Sequence, residues 1–246
     1  MRLLLDLETA PMLAYTWGTY KQTIPYKMVK QPWRMLCWAA KDIDTKKTYG
    51  SSLHLHDGYS EKDMLQALAE LLDKADVVIA HNGIKFDVRK INARFVSLGI
   101  RRPSPYRIYD TLRVARRHFA FTSNRLADLP DQLGIKSRKG SPGWETWAGC
   151  LEEDVKAFEK LYKYCKQDVK VLEEVFLKLL PWQPLDSVGI RDGACPTCNG
   201  TKLHSRGLYV GSTETYTKYS CTDCGSWSRG TGVKHPKRPK KLKALK

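Results

Sequence analysis

The chain has 246 residues, 42% of them hydrophobic, which is enough for one full domain plus a small appendage and excludes global disorder. Lysine and arginine number 42 against 26 acids, a net charge of +16, so a polyanion is the leading partner class. The longest wholly apolar run, Met35 to Ala40, is far short of the ~18–20 residues of a membrane span, and Asp6 and Glu8 interrupt any leader-like start. A cytoplasmic protein with no membrane partner is expected. Seven cysteines then argue for metal or free thiols over a disulfide framework.

Taken in chain order, Leu3-Leu4-Leu5-Asp6 suits a buried strand, and Arg34 to Ile43 and Thr48 to Leu55 suit two more, joined by a polar turn at Asp44–Lys47. Met64, Leu65, Leu68, Leu71 and Leu72 recur at helical spacing within Glu61–Lys74. Val77–Ala80 is another strand, Phe86–Leu98 a helix ended by Gly99, and Tyr106–Tyr109 a short strand. Helical patterns follow at 111–119, 124–133 and 152–179. This order predicts an α/β fold with a mixed sheet flanked by helices.

Near residue 181 the composition changes to Pro- and Gly-punctuated sequence holding four paired cysteines. The expected organisation is a main domain over 1–184, a cysteine module over 189–232 and a basic tail over 233–246. The tail has seven Lys and Arg and no acid, so like-charge repulsion should keep it disordered. Residues 189–246 carry 12 basic and 3 acidic residues, net +9, against 30 and 23, net +7, for residues 1–188.

Three acidic pieces stand out. Asp6-Leu7-Glu8 ends the first strand, and its i, i+2 spacing projects both carboxylates to one face. Two like charges there need a cation or partner, and hard divalent ions prefer carboxylate oxygens. Asp87 ends the segment His81-Asn82-Gly83-Ile84-Lys85-Phe86-Asp87, which follows the carboxyl end of the strand 77–80. Ligands of open α/β sheets gather at such ends, although Asp87 also suits a helix's first turn. Tyr164 and Asp168 share a helix face four residues apart, beside the buried stripe Leu161, Val169, Leu172 and Val175.

Together these pieces resemble the DEDD superfamily of 3′–5′ exonucleases, which have an RNase H-like fold, over roughly residues 1–180. Asp6-x-Glu8 matches the first motif, Asn82-x3-Phe86-Asp87 the second and Tyr164-x3-Asp168 the third. Position 163 is Lys and position 164 Tyr, which resembles the tyrosine branch. Asp6-Leu7-Glu8-Thr9-Ala10-Pro11 with the cysteine module looks similar to stand-alone exonucleases of tailed bacteriophages, placing such a protein in the bacterial host cytoplasm.

The resemblance implies two Mg²⁺ or Mn²⁺ about 4 Å apart. Asp6 would bridge both, Glu8 and Asp168 would hold the ion that makes hydroxide, and Asp87 would hold the second ion directly or through water. Tyr164 would orient the attacking water, since a phenol titrates near ~10 and is a poor base at neutral pH. His81 reads as structural, Asp110 as a helix N-cap before Thr111, and Asn82 as either a substrate contact or a loop anchor.

Cys195-Pro-Thr-Cys198 and Cys221-Thr-Asp-Cys224 are two Cys-x2-Cys knuckles separated by 22 residues. Four thiolates close a tetrahedral Zn²⁺ shell, a structural site resembling a zinc ribbon. About 40 residues cannot build a core alone, so metal would supply the folding energy. Pro196, Gly200 and Gly225 suit tight knuckle turns. Tyr209, Tyr216, Tyr219 and Trp227 interleave with Lys202, Arg206, Lys218 and Arg229. They either stack on single-stranded nucleic acid or cover the module. Cys37, Cys150 and Cys165 read as isolated buried thiols.

Tyr15, Trp17, Tyr20, Tyr26, Trp33 and Trp38 either stack on bases or pack as core and loop anchors. Arg113, Arg116, Arg117, Arg125, Lys136, Arg138 and Lys139 either contact phosphates or form a solvated face. The expected activity is metal-dependent 3′–5′ release of nucleoside monophosphates, from DNA by preference. The alternatives are an exoribonuclease of the same fold and a non-catalytic nucleic-acid-binding adaptor. The expected partner is a single-stranded DNA or RNA 3′ end, with a polymerase or replication protein as a further possible partner.

Overall fold

The computed structural model describes residues 1–138, 140–183, 193–211 and 214–230. The expected basic tail, the start of the cysteine module and Lys139 lie outside the described residues. The chain divides into two compact units, Met1–Phe176 and Leu177–Lys246.

In the first unit β1 (Arg2–Thr9) leads into a short antiparallel pair, β2 (Leu13–Ala14) with β3 (Val29–Gln31). β4 (Met35–Asp42), β5 (Thr48–Ser52), α1 (Glu61–Leu72), β6 (Val77–Ala80), α2 (Asp87–Ser97), β7 (Arg107–Asp110) and α3 (Thr111–His118) follow. Three more helices follow, α4 (Leu129–Leu133), α5 (Trp144–Leu151) and α6 (Val155–Leu179), the last running three residues past the end of the unit. The main sheet has the order β5-β4-β1-β6-β7. β4 is antiparallel to β1 and β5, while β6 runs parallel to β1 and β7. This is the mixed α/β sheet expected.

The pleat of β1 sorts its side chains. Leu3, Leu5 and Leu7 are buried on one face. Trp38, paired with Leu7, shares that face, and its indole N–H donates to the Met64 carbonyl of α1 at 3.1 Å. The opposite face carries Asp6 and Glu8, and there α6 lies across β1, β4 and β5. Lys41 of β4 and Lys46 of the following turn both reach Glu173 of α6, at 2.5 and 3.1 Å. Those ammonium groups hold the Glu173 carboxyl below its ordinary range against partial burial, which acts the other way. Among the described residues no helix is long and apolar enough to cross a membrane.

In the first unit the strands β2 and β3 and the helix α5 went unseen in the sequence, and two elements were overdrawn. The helix expected over 124–133 is confined to Leu129–Leu133. Pro130 explains this: it has no amide to donate, so no helix continues through it from residues 124–128. Thr48–Ser52 is strand, but Leu53–Leu55 tightens into a 3₁₀ turn.

Gly50 lets α6 sit close. It pairs with Ala39 across β4–β5, and a Cβ at 50 would lie 2.7 Å from the Tyr162 hydroxyl and 2.9 Å from the Trp38 carbonyl. The backbone atom cannot yield cheaply, so Gly50→Ala is expected to destabilise the domain by about 1–3 kcal/mol. A denaturant midpoint checks this, and an unchanged midpoint would show that α6 has room to move.

Candidate functional site

Asp6 and Glu8 share one face of β1, the central strand, and α6 brings Asp168 to them. One carboxylate oxygen from each of the three lies within 4.8 Å of the others. Asp6 and Glu8 are half-buried and Asp168 has no exposure. Three like charges this close disfavour joint ionisation unless a cation sits among them. An all-oxygen, anionic donor set fits a hard divalent ion.

Asp87 is placed differently. It is buried at 4% exposure as the first residue of α2, outside the set of mutually close oxygens formed by the other three. The helix dipole favours a carboxylate at that end. The loop leading to it is tightly determined. Asn82 has φ 67, a left-handed conformation that Asn tolerates, and a Cβ at Gly83 would meet the Ala80 Cβ at 2.5 Å.

Asp110 anchors that loop. Its carboxylate accepts from the Asn82 and Ile84 amides at 3.0 and 3.2 Å, and caps α3 through Leu112 and Arg113 at 3.1 and 3.4 Å. The N-cap role holds, and the same group also ties the end of β7 to the loop after β6. His81 is likewise held through both ring nitrogens, to the Thr111 hydroxyl and the Asn124 carbonyl, each at 2.9 Å. Since a carbonyl only accepts, Nε2 donates to Asn124, while the Thr111 hydroxyl that meets Nδ1 also reaches the Ala80 carbonyl at 3.2 Å. The structural reading of His81 holds, and Asn82 serves the loop through its backbone.

Tyr164 lies one turn before Asp168 and is half-buried. The Trp147 ring of α5 meets it edge-on at 6.4 Å. The loop before α5 is fixed to α6 on either side of it. Lys160 donates to the Pro142 carbonyl at 2.8 Å and Gln167 to the Arg138 carbonyl at 3.2 Å. Beside Tyr164 runs a groove of about 570 Å³ whose lining includes Tyr49, Lys160, Lys163, Lys166 and Lys170. All four of these lysines are exposed.

Cys165 corrects the sequence reading. It is buried, but it adjoins the acids: its thiol donates to the Asp6 carbonyl and carboxylate at 3.4 and 3.5 Å. Burial drives the Cys165 thiol well above its ordinary range, with Cys37, Asp6 and Glu8 adding to the effect. Burial also raises Cys37. Both thiols therefore stay neutral beside the carboxylates. No spacing rule linked Cys165 to Asp6; its position i−3 to Asp168 was the only available hint. Cys150 is an inert buried thiol as expected, pushed up to about 12 by burial.

Trp38 is core, and Trp33 stacks under the Lys90 ammonium at 3.6 Å. Tyr15, Trp17, Tyr20 and Tyr26 are exposed, Trp17 at 96%. Core packing therefore does not account for these four. In the basic cluster, Arg138 is engaged with Asp131 at 2.9 Å and with the Ile135 carbonyl. Arg113, Arg116, Arg117, Arg125 and Lys136 are exposed.

In the second unit β8 (Leu203–Val210), β9 (Thr215–Cys221) and β10 (Trp227–Arg229) form an antiparallel sheet in the order β10-β9-β8. The sulfurs of Cys195, Cys198, Cys221 and Cys224 lie within 4.8 Å of one another. Cys195 to Cys224 and Cys198 to Cys221 are both 3.7 Å apart. Metal–sulfur bonds of about 2.3 Å give a tetrahedral edge of roughly 3.8 Å. The two knuckles repeat one turn: Asn199 donates to the Cys195 carbonyl and Gly225 to the Cys221 carbonyl, each at 2.9 Å. Burial opposes ionisation of Cys195, but hydrogen bonds from Ser226 and the knuckle amides bring its thiol down to about 6. Burial raises the Cys198 and Cys224 thiols instead, so it is the sulfur geometry that suits the four cysteines to a closed metal shell. Cys198→Ser is expected to lose bound metal and the unfolding transition of the cysteine module, measured by metal analysis and calorimetry. Undiminished metal content would refute the four-sulfur site.

A family model described as the RNase_H superfamily matches residues 36–180. No curated protein matches the chain. Among solved structures, the family B DNA polymerase from the hyperthermophilic archaeon Pyrobaculum calidifontis is similar with a TM-score of 0.53 and 16% identity, over 73% of this chain and 24% of the polymerase. The chain therefore spans about a quarter of that protein's length, and the likeness is one of fold.

Proposed function

The chain belongs to the RNase_H superfamily, and on that premise we propose that it is a metal-dependent nuclease that shortens nucleic acid from the 3′ end and releases nucleoside monophosphates. The observation that carries this is the convergence of Asp6, Glu8 and Asp168 on a 4.8 Å cluster of oxygens at the centre of an RNase H-like sheet. A binding adaptor has no use for that cluster. The +16 charge and the lysine groove beside Tyr164 suit a polyanionic substrate.

Asp6, Glu8 and Asp168 would hold the divalent ions, Mg²⁺ or Mn²⁺, with Asp87 completing the set from the start of α2. Such ions supply an activated water and neutralise charge on the phosphate. The chain's own residues do the rest. Tyr164, braced by Trp147, hydrogen-bonds and orients the attacking water. Lys163, Lys166 and Lys170 draw the phosphate backbone into the groove. Asp110 and His81 keep the Asp87 loop rigid. In the second unit, the four-cysteine shell would hold one Zn²⁺ in a purely structural role, making the module a zinc ribbon. The tyrosine-branch pattern, likeness to tailed-phage enzymes and preference for DNA belong to the same reading. So do the boundaries 1–184, 189–232 and 233–246, and a possible polymerase partner.

The test is a gel assay with 5′-labelled single strands, DNA and RNA in parallel, with Mg²⁺ or Mn²⁺ added or omitted. A metal-dependent ladder shrinking from the 3′ end is expected, with DNA cut faster. Asp6→Ala should abolish it while leaving the fold intact, because the change also removes a repelling charge. Normal cutting by Asp6→Ala would refute the assignment, and fragments accumulating from internal cuts would refute the 3′–5′ direction.

A further inference from the structure

The second unit presents a surface that the proposed nuclease chemistry does not use. Along β9, alternation places Thr215 and Cys221 on one face, both buried, and Tyr216, Lys218 and Ser220 on the other. Strand pairing then extends the second face on both sides. Tyr209 of β8 lies opposite Tyr216, and Arg229 and Trp227 of β10 lie opposite Lys218 and Ser220. The result is one continuous face of three aromatic rings and two cations.

The rings do not cover the module. Trp227 is 57% exposed and Tyr209 48%, on the face away from the buried Cys221. The cations lie over the rings: the Arg229 guanidinium is 4.1 Å from the Tyr216 centroid and the Lys218 ammonium 5.2 Å from that of Trp227. Between them is a shallow cavity of about 420 Å³ lined by Tyr209, Lys218, Trp227, Ser228 and Arg229. An apolar protein partner would want the rings without interleaved charge. Flat rings spaced among cations match a strand whose unpaired bases offer π-faces and whose phosphates alternate with them. The sequence beyond β10 adds seven Lys and Arg and no acid over residues 231–246.

We propose that this face of the cysteine module is a second nucleic-acid site, a stacking platform for single strands in which Tyr209 and Trp227 hold bases and Lys218 and Arg229 contact phosphates. Duplex nucleic acid would bind it poorly, because paired bases hide their faces.

The test uses the full chain in an Asp6→Ala background and fluorescence anisotropy with two labelled strands of equal length, oligothymidylate and its abasic counterpart. Trp227→Ala and Tyr209→Ala should each weaken oligothymidylate binding about tenfold and leave the abasic strand unchanged. Trp227→Phe, which keeps a ring, should recover most of the loss. Lys218→Gln and Arg229→Gln should weaken both strands and each flatten the salt dependence by about 0.7 in slope. Unchanged oligothymidylate affinity in both alanine variants overturns the proposal, as does an equal loss on both strands, which would mark damage to the module. The readout is binding alone, so it stands whether or not the chain cuts.

Discussion

Three carboxylates that would repel one another are forced together where β1 meets α6. At separations up to 4.8 Å, each ionised pair costs at least roughly 3 kcal/mol at an effective dielectric of about 20. The surrounding structure makes sense as the means of sustaining that arrangement. Gly50 and Ala39 leave room for α6 to lie against the sheet, and Lys41 and Lys46 clip the helix through Glu173. Cys37 and Cys165, kept neutral by burial, fill the space behind the acids without adding charge, and Cys165 gives Asp6 a weak donor. A cation would convert the remaining repulsion into attraction, which is why the cluster suits a divalent ion.

The fourth acid depends on a separate device. Asp87 starts α2, and the loop that aims it turns through Asn82 and Gly83 in a conformation few residues tolerate. Asp110 fixes this loop with two of the four amides it accepts. One buried carboxylate thereby couples β6, β7 and α3, and His81 adds a second tie to Thr111 and Asn124. Asp87 can thus stand apart from the other three and still be held firmly.

Much of this was legible in the sequence, for reasons that differ by residue. The period-2 rule put Asp6 and Glu8 on one face of a strand, and the i, i+4 rule put Tyr164 beside Asp168. Asp110 before Thr111 is a local capping signal, and Cys-x2-Cys spacing is local chemistry. What was hidden is tertiary. No short-range rule brings Cys165 to Asp6, 159 residues away, or extends Asp110 back to Asn82. The groove beside Tyr164 is likewise tertiary, since Lys160 meets the Pro142 carbonyl across 18 residues of chain. The helix expected over 124–133 failed because its apolar spacing was weighed above Pro130, and the β2–β3 pair is too short to leave a periodic signal.

Everything proposed for the β1–α6 carboxylates requires that they hold a divalent cation. Titration of the full chain with Mn²⁺, followed by electron paramagnetic resonance, reads that binding without relying on cleavage. Mn²⁺ is expected to bind the natural chain, and Asp168→Asn, which keeps the shape of the side chain, to abolish or sharply weaken that binding without unfolding the domain. Absence of Mn²⁺ binding by the natural chain, or equal binding by Asp168→Asn, would contradict it.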